Sequence, residues 1–191
     1  MPIPFLPVLA LAFQAPSLDF AFQPSGIVEK VGGYAPYGLK LSPVKPEAVK
    51  KTPEVASPQY GTVKIGRYGF LVLLDGKDKL YVDSNANGDL TDDPATIWSE
   101  KTYKTSTGEA KSFQGFATVD LTYGGKTIPS RIGVYSAEPG ALGYYQDFAL
   151  AGKITLGAKT YNAILADGSA EFDLAGTENL HELLLLLDKD G

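Results

Sequence analysis

The chain has 191 residues, of which 44% are apolar, 20% charged and 11% aromatic; this is the composition of one globular domain and excludes disorder for most of its length. Zero Cys excludes a disulfide framework, a thiolate metal site and a cysteine nucleophile, and a single His excludes a multi-histidine metal centre. Seventeen Lys and Arg against 22 Asp and Glu leave a net charge of -5, so there is no basic footprint for nucleic acid, and the chemistry that survives is a hard-cation site built from oxygen ligands.

Residues 5–11 form an apolar run of secretory length, and Ala10-Leu11-Ala12 supplies a small-x-small cleavage pattern, so residues 1–15 read as a signal peptide. Against that reading, no Lys or Arg precedes Lys30, and Pro2, Pro4 and Pro7 interrupt a helix. The expected location is secreted, periplasmic or cell-envelope. No stretch approaches 18 consecutive apolar residues, so no transmembrane span is expected.

Residues 16–58 read as two short strands, 19–22 and 27–31, followed by a proline- and lysine-rich connection that includes one helical turn at 47–51. The lysines of that connection, diluted by Glu47 and Glu54, read as a solvated loop. Residues 59–191 read as a β-domain, with strands expected at 61–65, 69–74, 79–82, 96–103, 112–123, 127–135 and 144–150. Phe116, Thr118, Asp120 and Thr122 alternate with Ala117, Val119, Leu121 and Tyr123, the two-residue period of a strand with one buried face. Tyr123-Gly124-Gly125-Lys126 reads as a tight hairpin and 105–108 as another turn. With 21 Gly and 13 Pro marking many turns, the expected fold is all-β, an antiparallel sandwich or barrel-like meander; 177–183 is the remaining helical candidate.

An internal duplication is also legible. Gly61-Thr62-Val63-Lys64-Ile65-Gly66 is echoed by Gly152-Lys153-Ile154-Thr155-Leu156-Gly157; each is followed by an apolar strand that ends in Asp-Gly, at Asp75 and Asp167, and then by a further apolar strand.

Asp83-Ser84-Asn85-Ala86-Asn87-Gly88-Asp89-Leu90-Thr91-Asp92-Asp93 carries the chemistry. Ca²⁺ takes six to eight oxygens, and oxygen-bearing side chains at positions 1, 3 and 5 of a tight loop converge on one point. Asp83, Asn85 and Asn87 have that spacing, Gly88 at position 6 permits the sharp turn, and Asp89 at position 7 offers its backbone carbonyl. Leu90 at position 8 points to the core, Thr91 at position 9 binds directly or through water, and Asp92 or Asp93 completes the shell. Two Asn among the first three ligands lower the charge, so the expected affinity is weak, about 10⁻⁴ to 10⁻³ M, suited to millimolar calcium. The competing reading is an Asx-rich turn, because Asn, Asp and Gly dominate turns for local reasons.

This segment resembles the calcium loop of EF-hand and dockerin-type modules, over about 12 of the 191 residues. Those loops place an acid at position 12, where this chain has Pro94, and the residues ahead of the loop read as a strand where an EF-hand has a helix. Together with the glycine-flanked hairpin before it, the segment also looks like uncharacterised secreted bacterial proteins that carry such loops repeatedly. A degenerate second site, Asp167, Ser169, Glu171 and Asp173, has oxygens at alternate positions but no glycine at position 6.

Other constellations are weaker. Gly124-Gly125-Lys126-Thr127 contains the GKT of a phosphate loop but lacks its first glycine and its helix. Glu178 and His181 have no second His; Asp120, Glu138 and Asp147 show no readable carboxylate pair. Trp98 with Tyr103, Tyr123, Tyr135, Tyr144 and Tyr145 form either a sugar-stacking platform or core packing. The expected function is a non-catalytic, calcium-stabilised exported β-domain acting as a structural or interaction module, with a polysaccharide or another envelope protein as partner. The alternatives are a carbohydrate-binding module and an accessory domain of a larger secreted enzyme.

Overall fold

A computed structural model of the chain describes residues 18–77, 79–136, 141–168, 170 and 183–187. Strands make up 62% of it and helix 3%, so the all-β reading holds. In chain order the elements are β1 (Leu18–Gln23), α1 (Ile27–Val31), β2 (Tyr37–Lys40), β3 (Pro58–Ile65), β4 (Tyr68–Asp75), β5 (Lys79–Val82), β6 (Ile97–Thr105), β7 (Gly108–Tyr123), β8 (Lys126–Ser136), β9 (Ala141–Gln146), β10 (Ala149–Leu156), β11 (Lys159–Asp167) and β12 (Leu183–Leu187).

These strands form three open antiparallel sheets, ordered β1-β10-β11-β12, β2-β9-β8-β7-β6 and β3-β4-β5, and no barrel closes. β1 and β2 pair with β10 and β9, so the residues ahead of position 59 supply an edge strand to each of the two larger sheets. One apolar core joins all three sheets: Val63, Phe70 and Val72 from the smallest, Val119, Ile132 and Leu142 from the five-stranded, and Leu150 and Leu165 from the third. Alternation along β7 puts Ala117, Val119 and Leu121 in that core, as the two-residue period predicts. The run Phe70-Leu71-Val72-Leu73-Leu74 in β4 has no polar face because both of its sides are covered: Phe70, Val72 and Leu74 meet the main core, and Leu73 packs with Tyr60, Val49 and Leu90 in a second cluster.

The two similar segments take the same shape, an antiparallel three-strand meander, β3-β4-β5 and β10-β11-β12. Each opens on a two-residue turn whose glycine is left-handed, Gly66 at φ 54° and Gly157 at φ 62°. Asp75 and Asp167 end the second strand of each and are buried.

Three expectations are corrected. Residues 27–31 form the helix α1, not a strand: Gly26 and Gly32 bracket it in the left-handed region at φ 87° and 70°, and the Asp147 carboxylate accepts hydrogen bonds from the Gly26 and Val28 N–H groups at its start. Residues 144–150 are not one strand, because the chain leaves the five-stranded sheet after Gln146 and enters another at Ala149, with buried Asp147 at the junction. Residues 47–51 form no helical turn: a β-turn closed by the Val49 N–H on the Pro46 carbonyl leads to Lys51 in a bridge with Asp89. β2 was not anticipated from the sequence. The helix expected at 177–183 and the signal peptide at 1–15 lie outside the described residues, except that Leu183 begins β12. Among the described residues no helix is long and apolar enough to cross a membrane.

Candidate metal centre

The acidic loop leaves β5 at Val82 and is anchored on both sides of its first residues. The Asp83 N–H donates to the Leu71 carbonyl at 2.9 Å, and the Ser84 carbonyl accepts from the Asp120 N–H of β7 at 2.8 Å. Gly88 is left-handed at φ 81°, and a β-carbon there would stand 2.5 Å from the Ala48 carbonyl oxygen, so the position demands glycine both by conformation and by space. Ala86 also takes a positive φ, 56°, which non-glycine residues adopt rarely. Leu90 is fully buried in the second apolar cluster, as its place in the loop predicts.

The loop is a ladder of side-chain-to-backbone hydrogen bonds. Asp83 accepts from the Asn87 and Gly88 N–H groups at 3.0 and 2.8 Å. Asn85 Oδ1 accepts from the same Asn87 N–H at 3.1 Å, so the oxygens of positions 1 and 3 approach one nitrogen together. Asn87 Oδ1 accepts from the Asp89 N–H at 2.6 Å, and Asp89 Oδ1 from the Thr91 N–H at 3.0 Å and from the Thr91 hydroxyl. This repeated i to i+2 pattern folds the residues into successive Asx turns.

The downstream acids diverge. Asp92 is exposed and its Oδ2 accepts from the Asn87 side-chain amide at 2.9 Å. Asp93 is 7% exposed; its Oδ1 accepts from both the N–H and the hydroxyl of Ser84, while its Oδ2 is buried with no hydrogen-bond partner. Burial pushes the Asp93 carboxyl up from its ordinary range; Ser84 opposes the shift, and the negative charges of Asp83 and Asp92 add to it. Asp83 is 1% exposed, and neither Asp83 nor Asp93 has an ion-pair partner among the described residues.

Asp89 is held elsewhere. Its carboxylate pairs with Lys51 Nζ, whose hydrogen bond, with those from Thr91, brings its pKa down to about 2. Lys50 Nζ donates to the Asn87 carbonyl at 2.6 Å, and the Lys50 and Lys51 N–H groups both donate to the Gly88 carbonyl. Lys50 and Lys51, both exposed, thus also strap the acidic loop, continued by a parallel bridge between Lys51 and Asp89. Lys51 and Ser84 are contributors that spacing missed; two lysines in tandem upstream of a four-aspartate segment were the available signal.

The seven predicted ligand residues thus divide. Asp83 and Asn85 meet at the Asn87 N–H, the Asn87 oxygen accepts from the Asp89 N–H while its amide donates to Asp92, Asp89 and Thr91 bind each other, and Asp93 binds Ser84. Among the described residues no group of three or more His, Cys, Asp or Glu side chains is placed to hold a metal ion. At the second loop only Asp167 is described of its four residues, and its carbonyl accepts from the Ala170 N–H at 3.1 Å; Ser169, Glu171 and Asp173 lie outside the described residues.

Gly124 and Gly125, at φ 56° and 74°, turn the hairpin between β7 and β8 and leave no phosphate loop. Asp147 is committed to α1 and to Arg131 Nε, while Glu138, Glu178 and His181 lie outside the described residues. The aromatic residues do not form one row. Trp98 and Tyr123 pack against the core and Tyr144 lies within it, whereas the rings of Tyr135 and Tyr145 lie over Gly143 and Gly133. Tyr34 covers the Tyr145 ring at 3.9 Å, and the Arg131 guanidinium sits over Phe116 at 4.4 Å. The side chain of Tyr103 lies outside the described residues.

Fold and loop together define a class, an antiparallel three-sheet β-protein with an Asx-laddered acidic loop. Comparisons with protein-family models, with curated proteins and with solved structures find no match to this chain.

Proposed function

We propose that this chain is a non-catalytic, exported β-module, a structural or interaction module, whose Asp83–Asp93 loop takes one Ca²⁺. The observation that carries the reading is the pair of buried carboxylates, Asp83 and Asp93, in one loop with no basic side chain on either among the described residues. Buried charge is costly unless paired or metal-bound, and Asn85, Asn87 and the Asp89 carbonyl stand in the same loop as neutral oxygen donors for a hard cation. The export part of the reading is supported by the apolar run at 5–11 and by the low ligand charge, which suits extracellular calcium levels. The carbohydrate-binding alternative has less support, because a sugar platform needs open ring faces, whereas Trp98 and Tyr123 pack against the core, Tyr144 lies within it and Tyr34 stacks on Tyr145.

Equilibrium dialysis of the full chain against calcium tests the reading. One ion per chain is expected, with Kd of about 10⁻⁴ to 10⁻³ M and weaker retention of Mg²⁺, which demands a tighter octahedral shell. No retained calcium at several times that concentration would remove it.

A further inference from the structure

We propose that Asp93, at position 11, is the carboxylate that completes the shell of this ion, and that Asp92 stands outside it. The inference rests on the calcium reading above and deepens it. The two acids are adjacent in sequence but differ in every structural respect. Asp92 is exposed, and its Oδ2 already orients the Asn87 amide. Asp93 is more than nine-tenths buried, and its two oxygens are used unequally: Ser84 holds Oδ1 with both its N–H and its hydroxyl, and Oδ2 is left buried without a donor. A carboxylate fixed through one oxygen presents the other in a set direction, which is how supporting hydrogen bonds orient a metal ligand. An unpaired buried carboxylate oxygen requires a compensating charge or donor, and a cation shared with Asp83 supplies it.

Two further features agree. Pro94 occupies position 12, where related spacings place the acid, and proline has no carboxylate to offer, so the nearest acid to that position is Asp93, one place upstream. Lys51 neutralises the Asp89 carboxylate, which leaves that residue only its backbone carbonyl to offer. Asp83 and Asp93 then bring two negative charges to a divalent ion, with Asn85, Asn87 and the Asp89 carbonyl as neutral oxygens.

Calcium titration of the full chain, followed by ¹³C NMR of the aspartate side-chain carboxyls, tests the assignment without altering the protein. The Asp83 and Asp93 carboxyl resonances are expected to move together with one Kd, and the Asp89 and Asp92 resonances to stay near their starting positions. The same titration on Asp93→Asn should weaken binding at least tenfold, and on Asp92→Asn by less than about threefold. A shift at Asp92 with none at Asp93, or calcium binding lost in Asp92→Asn and kept in Asp93→Asn, would overturn the assignment while leaving the calcium reading intact. If Asp93→Asn does not fold, the wild-type carboxyl shifts decide the question alone. No shift anywhere in the wild-type chain overturns the calcium reading and the assignment with it.

Discussion

Gly88 shows how much of the loop is decided at one residue. It needs a left-handed backbone at φ 81°, and it sits where a β-carbon would meet the Ala48 carbonyl oxygen at 2.5 Å. Gly88→Ala should therefore destabilise the fold by about 1–3 kcal/mol, measured by denaturant unfolding, since it adds both backbone strain and a clash; a change within about 0.5 kcal/mol would mean that the connection at 46–51 yields freely. Residues of this kind were legible in the sequence, because the geometry of a tight loop depends on neighbours two to five positions away. That is why the spacing of Asp83, Asn85, Asn87, Gly88 and Leu90 could be read directly. The roles of Ser84, Lys51 and Asp93 could not. Lys51 reaches Asp89 across 38 residues, and the difference between Asp92 and Asp93 is one of burial, to which spacing is blind.

At the scale of elements the same division appears. β5 has the bounds predicted for it, and β3, β4, β7 and β8 lie close to theirs, because alternation and turn residues are local signals. α1 was misread as a strand because what makes it a helix is Asp147, which caps it from 119 and 121 residues away. Asp147 also binds Arg131 and stands where the chain passes from β9 to β10, so one buried carboxylate holds a helix start, an ion pair and a strand junction. Asp147→Ala leaves the Gly26 and Val28 donors and the Arg131 guanidinium without that acceptor; with Arg131 partly open to solvent, the expected cost is about 2–4 kcal/mol. Amide hydrogen exchange should show the loss of protection beginning at residues 24–31 and 146–149. An unchanged exchange pattern would mean that α1 is held by its apolar contacts alone.

At the scale of the whole molecule, the expectation of an all-β antiparallel fold holds, but the grouping of strands into three sheets could not be read, because β1 with β10 and β2 with β9 are pairings across more than 100 residues. The acidic loop lies where two of these sheets meet: Asp83 bonds to β4, Ser84 to β7, Gly88 to the connection at 50–51, and Leu90 enters the second apolar cluster. An ion bound there stabilises the assembly by the free energy of its binding, about 1.4 kcal/mol at ten times Kd, which corresponds to a rise in Tm of roughly 3–6 °C for a chain of this size. The measurement that tests this most directly is thermal unfolding of the wild-type chain and of Asp83→Ala, each in excess calcium and in chelator. The account predicts a calcium-dependent rise in Tm for the wild-type chain and none for Asp83→Ala. Equal melting temperatures with and without calcium in the wild-type chain would contradict it, and would leave the loop as a set of Asx turns closed by its own hydrogen bonds.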